Sequence, residues 1–370
     1  MKIGILSFHA SHNFGSMLQN YALQQFLIAK GHVVETINLR NEKQKYMYHH
    51  PLHKGRRNPT LFYQLARYAD PKWLVSECKR WNIFESFLHD KIILSKEYNN
   101  WDSIKKDLVP SKYDAIIVGG DQIWNISCYD FDWSYYLPDN IKPIIKIAYG
   151  PSFGNSVKNI QKDDNQVTKI KQYLDDFNFI SVRESDASNY LQKLLKKSIP
   201  VVADPTLLVD PCVFQKLIKE PIIKEPYIYY YTPPHTADYE AENLAITLAN
   251  QLGIKIVTSY PRFFKKNQMQ SVVSGPIEFL NLVKNAKIIV GKSFHLIIFS
   301  LIFHRDFITL KRKKEARINS FLNILNIAGR NMESIDDYQH LKEINYKNVD
   351  ERLLHFKNES TQFLEEALKC

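Results

Sequence analysis

Short β-branched apolar runs alternate with longer amphipathic stretches along the whole chain. Lys2 to Phe8 reads as a strand, His9 to Gly15 is turn-rich, and a helix is expected from about Met17 to Lys30. Val33 to Leu39 predicts the next strand. Helices are expected around Leu61–Tyr68 and Ser76–Leu88, inside a polar, basic and aromatic stretch from Asn41 to Asn100. Tyr113 to Val118, Ile144 to Tyr149 and Phe179 to Val182 follow as strands, the first two ending in glycine-bearing turns, with Val201-Val202-Ala203-Asp204-Pro205 beyond them. After Asp210 the alternation restarts: Tyr227 to Tyr231 (strand), Tyr239 to Leu252 (helix), Lys255 to Ser259 (strand) and Pro276 to Val283 (helix). Ile288 to Val290, a long apolar run from Leu296, and Phe307 to Leu310 complete it, before a charged helical tail from about Tyr338.

Strands alternating with helices predict parallel sheets covered on both faces. Two such series give the fold class: α/β, two Rossmann-like βα domains in a row with a cleft between them. The expected domains are 1–215, with a basic aromatic insertion at about 41–100, then 216–335, then a helical tail, 336–370, able to pack back on the first domain. Pro211, Pro221 and Pro226 cluster at the boundary. A chain of 370 residues is long enough for two cores.

Bulk chemistry narrows the partners. The formal net charge is +10 with histidine neutral, which suits anionic substrates, an anionic membrane surface or nucleic acid, or reflects a generally basic composition. No nucleic-acid-binding signature is present, so nucleic acid is not expected as a partner. The four cysteines (78, 128, 212 and 370) have no metal spacing, and reduced thiols in a cytoplasmic protein are the simplest reading. His12, His49, His50 and His53 match no zinc pattern, so no metal is expected. The N-terminal apolar run is too short for a signal peptide, and no window reaches transmembrane length.

Chemistry concentrates where strands give way to helices. Lys292-Ser293-Phe294-His295 interrupts two apolar runs where a strand ends and a helix begins, the edge where open α/β sheets bind ligands and where a helix N-terminus favours anions. His295 is either titratable chemistry there or a satisfied core histidine. Asn13-Phe14-Gly15 lets backbone approach an anion, and a simple helix cap explains it equally well. After Gly119-Gly120, the side chains of Asp121, Gln122 and Asn125 offer hydrogen bonds and Trp124 a stacking face for a sugar; the alternative is a capping Asp with a packed Trp. Arg183 ends a strand and can clamp phosphate or carboxylate, or pair with Glu184. Arg262, Lys265 and Lys266 read as a solvated basic loop.

Taken together these segments resemble the polysaccharide pyruvyl transferase family. The resemblance is carried by Asn13-Phe14-Gly15 with Gln19 to Leu23, Tyr113-Asp114 to Asn125, Tyr149 to Gly154, Ser181 to Glu184, Asp204-Pro205-Thr206, and Asn285 to His295. It implies a GT-B-like pair of domains and transfer of the enolpyruvyl unit of phosphoenolpyruvate to sugar hydroxyls, giving a ketal on a cell-surface glycan or its precursor. It also implies His295 as catalytic histidine and Arg183 as anion-binding arginine. The donor would be held by Arg183, Lys292, Ser293, Phe294, His295 and Ser152. The acceptor would lie on the first domain at Asn13, Gly15, Asp121, Gln122, Trp124 and Asn125. No cofactor is required. Ser293 stands where some members have a basic residue, with Lys292 adjacent, and Leu296 where many have glycine. The acceptor implied is a sugar or lipid-linked oligosaccharide at the inner face of the cytoplasmic membrane, where the basic aromatic stretch 43–81 can meet anionic lipid or simply be a solvated surface. Two other readings share the fold: a GT-B glycosyltransferase using a nucleotide sugar, and a non-catalytic glycan-binding relative.

Overall fold

The structure, a computed structural model, describes residues 1–53, 71–108, 112–233, 239–260, 269–310, 316–334 and 336–369. The expected helix at Leu61–Tyr68 and the basic loop at 262–266 lie outside the described residues, as do Lys54, Arg56, Arg57 and Arg67 of the basic stretch. The chain divides into two compact units, 1–209 with 356–370, and 210–355. The division falls at 209/210 where the proline cluster suggested 215/216, and only the tail from Phe356 belongs with the first unit.

The first unit runs β1 (Lys2–Leu6), α1 (Phe14–Ala29), β2 (Val33–Leu39), α2 (Glu42–Met47), α3 (Pro71–Lys91), β3 (Leu94–Tyr98), α4 (Trp101–Asp107), β4 (Ala115–Gly119), β5 (Ile145–Tyr149), α5 (Val157–Ile160), α6 (Asp164–Leu174), β6 (Phe179–Ile180) and α7 (Ser185–Leu195). Its six strands are parallel in the order β3-β2-β1-β4-β5-β6. Every residue of β4 is buried, as expected for a central strand covered on both faces. The core joins Leu6, Ile37, Val118, Trp124, Tyr136, Phe153 and Leu191.

The second unit holds α8 (Cys212–Gln215), β7 (Tyr227–Tyr231), α9 (Tyr239–Leu252), β8 (Lys255–Thr258), β9 (Gln270–Ser271), α10 (Pro276–Asn285), β10 (Ile288–Gly291), α11 (Phe294–Ile302), β11 (Asp306–Leu310), α12 (Ala316–Ile324) and β12 (Asn331–Met332). A last helix, α13 (Tyr346–Ala367), begins here. The sheet is again parallel, in the order β12-β11-β10-β7-β8-β9. Counting each unit's strands in chain order, both sheets have the arrangement 3-2-1-4-5-6, so both are Rossmann-like and the expected fold class is present. In each, the winding direction reverses between the first and fourth strands. That switch point lies at β1/β4 in one unit and at β7/β10 in the other.

Candidate functional site

At the β1/β4 switch point the sequence-predicted residues divide between architecture and surface. Asn13 caps α1: its Oδ1 accepts from the backbone N–H of Gly15 at 2.9 Å and of Ser16 at 3.3 Å. The cap places the helix start at Phe14, three residues before the position read from periodicity, and buries Gly15 in the first turn. After β4, a Cβ on Gly119 would sit 2.5 Å from the Tyr149 carbonyl oxygen. Gly120 has φ +77°, and a Cβ there would strike the Gln19 amide. The turn continues into Asp121, left-handed at φ 30°, whose carboxylate accepts from the Ser16 hydroxyl. Such a backbone is tolerated for Asp at a cost, and sites of this kind cluster at functional edges.

Gln122 and Asn125 remain half-buried, joined by an Asn125 Nδ2 to Gln122 Oε1 bond of 2.7 Å. Trp124 does not serve as a sugar platform. It is fully buried, stacked on Tyr136 at 5.0 Å, edge-on to Phe153 and Phe177, and its Nε1 donates to the Tyr135 carbonyl at 2.9 Å. An indole after a glycine turn fills the core here because α6 and the 133–136 turn fold over that end of the sheet. A core-filling aromatic is worth about 3–5 kcal/mol, which is its function in this fold.

Arg183 is the hub of a buried network on the same sheet edge. Its guanidinium, 2% exposed, pairs with Asp204 and lies 3.7 Å from Asp121, and its Nη1 donates to Gln19 at 3.3 Å. Burial alone would lower its pKa; the charges of Asp204, then Glu184 and Asp121, outweigh burial and raise it. The open anion clamp expected from the sequence is thus corrected: three carboxylates of the same chain surround this cation. Ser152 belongs to the network, with its hydroxyl donating to Glu184 and accepting from the Gly154 N–H at 3.0 Å. These residues meet because Val182 bridges to Val201 in parallel, bringing Asp204 beside Arg183 although they are 21 residues apart.

Part of the basic aromatic stretch is described. Glu42, Lys43, Lys45, Tyr46, His49, His53 and Tyr129 line a cavity of about 530 Å³, within the size range of small-molecule sites. Tyr46 faces Tyr129 at 6.3 Å and His49 at 6.0 Å. The contribution of Tyr129 was not legible locally, since it arrives from 76 or more residues beyond the rest.

In the second unit the knot at the end of β10 occupies the β7/β10 switch point. Gly291 is required there: a Cβ would lie 2.0 Å from the Tyr231 carbonyl oxygen of the paired strand. Lys292 is buried, and Ser293 stands at the N-cap in extended conformation without a side-chain capping bond. α11 begins at Phe294, two residues before Leu296, so His295 lies in its first turn, where the helix dipole favours negative charge. His295 is 6% exposed and meets the edge of Phe294 at 5.8 Å; Phe294 rests on Phe321 at 5.4 Å. Leu296, 1% exposed, packs beneath β10 beside Gly291. A buried hydroxyl chain, Tyr229 to Ser259 at 2.7 Å and Ser259 to Ser274 at 2.9 Å, underlies the neighbouring strand ends. Among the described residues no group of three His, Cys, Asp or Glu is placed to hold a metal, and no helix is long and apolar enough to cross a membrane.

Solved structures share this architecture. UDP-GlcNAc 2-epimerase from Neisseria meningitidis, bound to UDP-GlcNAc, superposes with a TM-score of 0.53 at 10% identity, covering 100% of each chain. UDP-GlcNAc 2-epimerase from Methanocaldococcus jannaschii gives 0.50 at 13% identity, over 95% of this chain and 92% of that one. At such identities the likeness is one of fold. No protein of curated function matches the sequence. The model of one family, polysaccharide pyruvyl transferase, matches residues 13–313, which include the β7/β10 switch point, the Arg183 network and the His295 knot. The chain therefore belongs to the polysaccharide pyruvyl transferase family.

Proposed function

We propose that the chain moves the pyruvyl group of phosphoenolpyruvate onto two hydroxyls of one sugar, forming a ketal on the precursor of a capsular, exopolysaccharide or wall glycan. Family membership supports polysaccharide pyruvylation in general. The donor, the ketal, a lipid-linked form of the acceptor and action at the cytoplasmic membrane face go beyond that and belong to the proposal.

The observation that carries the reading is the position of His295 in the first turn of α11, behind Gly291 and Lys292, at the switch point of its sheet. Ketal formation requires protonation of the donor's methylene carbon, attack of a hydroxyl on C2, loss of phosphate and closure by a second hydroxyl. A histidine can move the protons, and His295 is assigned that role. Lys292 and the positive end of the α11 helix dipole supply positive charge for the phosphate and carboxylate of the donor, with Ser293 and Phe294 shaping the turn. Arg183 acts one step removed, as a positioning residue that holds Asp121 and Asp204 at the edge of the first sheet beside Ser152. Acceptor hydroxyls are assigned to Asp121, Gln122 and Asn125. The cavity beside Tyr46 and Tyr129 is available for the rest of the glycan, and Lys43 and Lys45 for its anionic groups.

The test is phosphate release from phosphoenolpyruvate against aryl glycosides of galactose, mannose, glucose and N-acetylglucosamine. Release should depend on the acceptor, and His295→Ala should lower kcat by about 10²–10⁴-fold. Undiminished release in His295→Ala would show the proton assignment to be wrong. A rise in melting temperature with a nucleotide sugar and none with phosphoenolpyruvate would favour glycosyl transfer instead.

A further inference from the structure

The loop leaving β1 carries a histidine that the reading above does not use. His12 is stacked on Phe84, with ring centroids 4.9 Å apart and 5° between planes, and meets Tyr48 at 5.4 Å and Trp81 at 6.1 Å. Its Nε2 is 2.9 Å from Glu85 Oε1, and Arg40 donates to the other carboxylate oxygen, also at 2.9 Å. The side chains of His12 and Glu85 are 14% and 12% exposed, so this is not a screened surface pair. Burial alone would raise the Glu85 carboxyl, but the hydrogen bond from His12 and the charge of Arg40 outweigh it and hold the group at about 2. Glu85 is therefore a fixed charge over the working range of pH.

A neighbouring histidine shows what a purely structural ring looks like in this fold. His9 uses both nitrogens within the chain, Nδ1 at 3.1 Å from the Ser7 carbonyl and Nε2 at 2.9 Å from Asn38 Oδ1. It is 1% exposed, and burial lowers its pKa. His12 differs on each point. One nitrogen is given to a charged carboxylate, and among the described residues the other makes no hydrogen bond. The ring is clamped by aromatic faces, and it lies on the loop that enters the β1/β4 switch point. A histidine oriented by a carboxylate on one nitrogen presents the other as a proton acceptor.

We propose that the His12–Glu85 pair is the proton-accepting site for an acceptor hydroxyl, an assignment that rests on the pyruvyl-transfer reading. Once the methylene carbon has been protonated, the hydroxyl O–H breaks and its proton moves to His12 Nδ1. The hydroxyl oxygen's pair forms the bond to C2; the C2–O bond to phosphate then breaks, its own pair leaving with phosphate, and the cation left at C2 is closed by the second hydroxyl, whose proton leaves with the phosphate. The imidazolium faces the Glu85 carboxylate until it returns the proton to solvent. Glu85 is a positioning residue. Among the described residues, the other charged or titratable groups facing the pair are Arg40 just after β2, His89 on α3 at 3.7 Å from Glu85, and the Tyr48 side chain.

The experiment uses the full chain, phosphoenolpyruvate and the same aryl glycosides. His12→Ala should lower acceptor-dependent kcat by about 10²-fold or more, and imidazole in the buffer should restore part of it, since Phe84 and Tyr48 leave a slot of that shape. Glu85→Gln should move the acid limb of kcat/KM towards lower pH by about one unit, because the charge favouring the protonated ring is gone, while KM for phosphoenolpyruvate stays within twofold. Melting curves identify variants that fail to fold; if His12→Ala does, His12→Gln is read in its place. An active wild type with a His12 variant within twofold of it overturns the pair's role alone. So does a loss that imidazole does not restore, combined with an unmoved acid limb in Glu85→Gln. A wild type that releases no phosphate with any glycoside overturns the pyruvyl-transfer reading and this assignment with it.

Discussion

Asp130 lies 6% exposed between the β4 turn and the insertion. Its carboxyl is pushed up to about 6, first by burial and then by the charge of Asp121, with a backbone hydrogen bond and Lys43 pulling it down. In the unfolded chain the same group titrates near 3.8. Between those values the folded state holds a proton that the unfolded state has released, so this residue's cost is present at neutral pH and is relieved as pH falls through about 6. His9 acts in the opposite sense, since its lowered pKa removes stability as pH falls below 6.5. Asp130→Asn should therefore raise stability at pH 7.5 by on the order of 3 kcal/mol and at pH 4.5 by only about 1 kcal/mol, a contrast that urea melts at the two values would read. Equal effects at both would mean the carboxyl is not desolvated. None of this was legible in the sequence, where Asp130 and Asp132 are the acids of an aromatic-rich segment, Cys128 to Tyr136. The same holds for Trp124, whose burial depends on Tyr136 and Phe177 arriving over it, and for Arg183, whose pairing with Asp204 follows from the bridge between Val182 and Val201.

Elements were more legible than their ends. β2 and β7 fall where the apolar runs placed them, because Val33–Leu39 and Tyr227–Tyr231 are β-branched or aromatic and bounded by turns. β3, Leu94-Ser-Lys-Glu-Tyr98, was missed because it is a polar edge strand, and β9 and β12 because two residues carry no periodicity. The His295 knot was placed correctly at a strand-to-helix junction, since the β-branched run stops at Val290 and a glycine follows. What the sequence did not reveal is why that glycine stands there. Any side chain at Gly291 meets the Tyr231 carbonyl of the paired strand. Gly291→Ala should force β10 away from β7 and lower the stability of the second unit by about 1–3 kcal/mol. Gly329→Ala, with nothing within 4 Å, is the matched control and should leave the urea midpoint unchanged. Equal midpoints for the two variants would show that β10 can shift without loss.

At the scale of the molecule, the sequence made two βα series plain, and both sheets share one strand order, but it placed the start of the returning tail 20 residues too early. The reason is that α13 is charged along its length and its anchoring residues are few. Ser360 accepts the Ala203 N–H at 2.8 Å, Phe363 meets Tyr149 at 6.3 Å and Phe179 at 6.5 Å, and Leu364 and Ala367 are fully buried. Lys30 pairs with Glu365 at the exposed end, which adds little. Burying the Leu364 side chain is worth about 1.5–3 kcal/mol, the partly buried Phe363 ring adds to it, and an orphaned Ala203 amide would cost about 1–3 kcal/mol more. A chain ending at His355 should accordingly lose several kcal/mol from the first unit. Hydrogen exchange should then rise in β5, β6 and the 201–204 segment, while β7 and β10 keep their protection. A peptide of residues 346–370 added in trans should slow exchange in β5 again. Protection in β5 unchanged by the truncation would mean that residues 356–370 contribute nothing to the first unit, and the Arg183–Asp204 network would have to be held by the β5 to β6 segment alone.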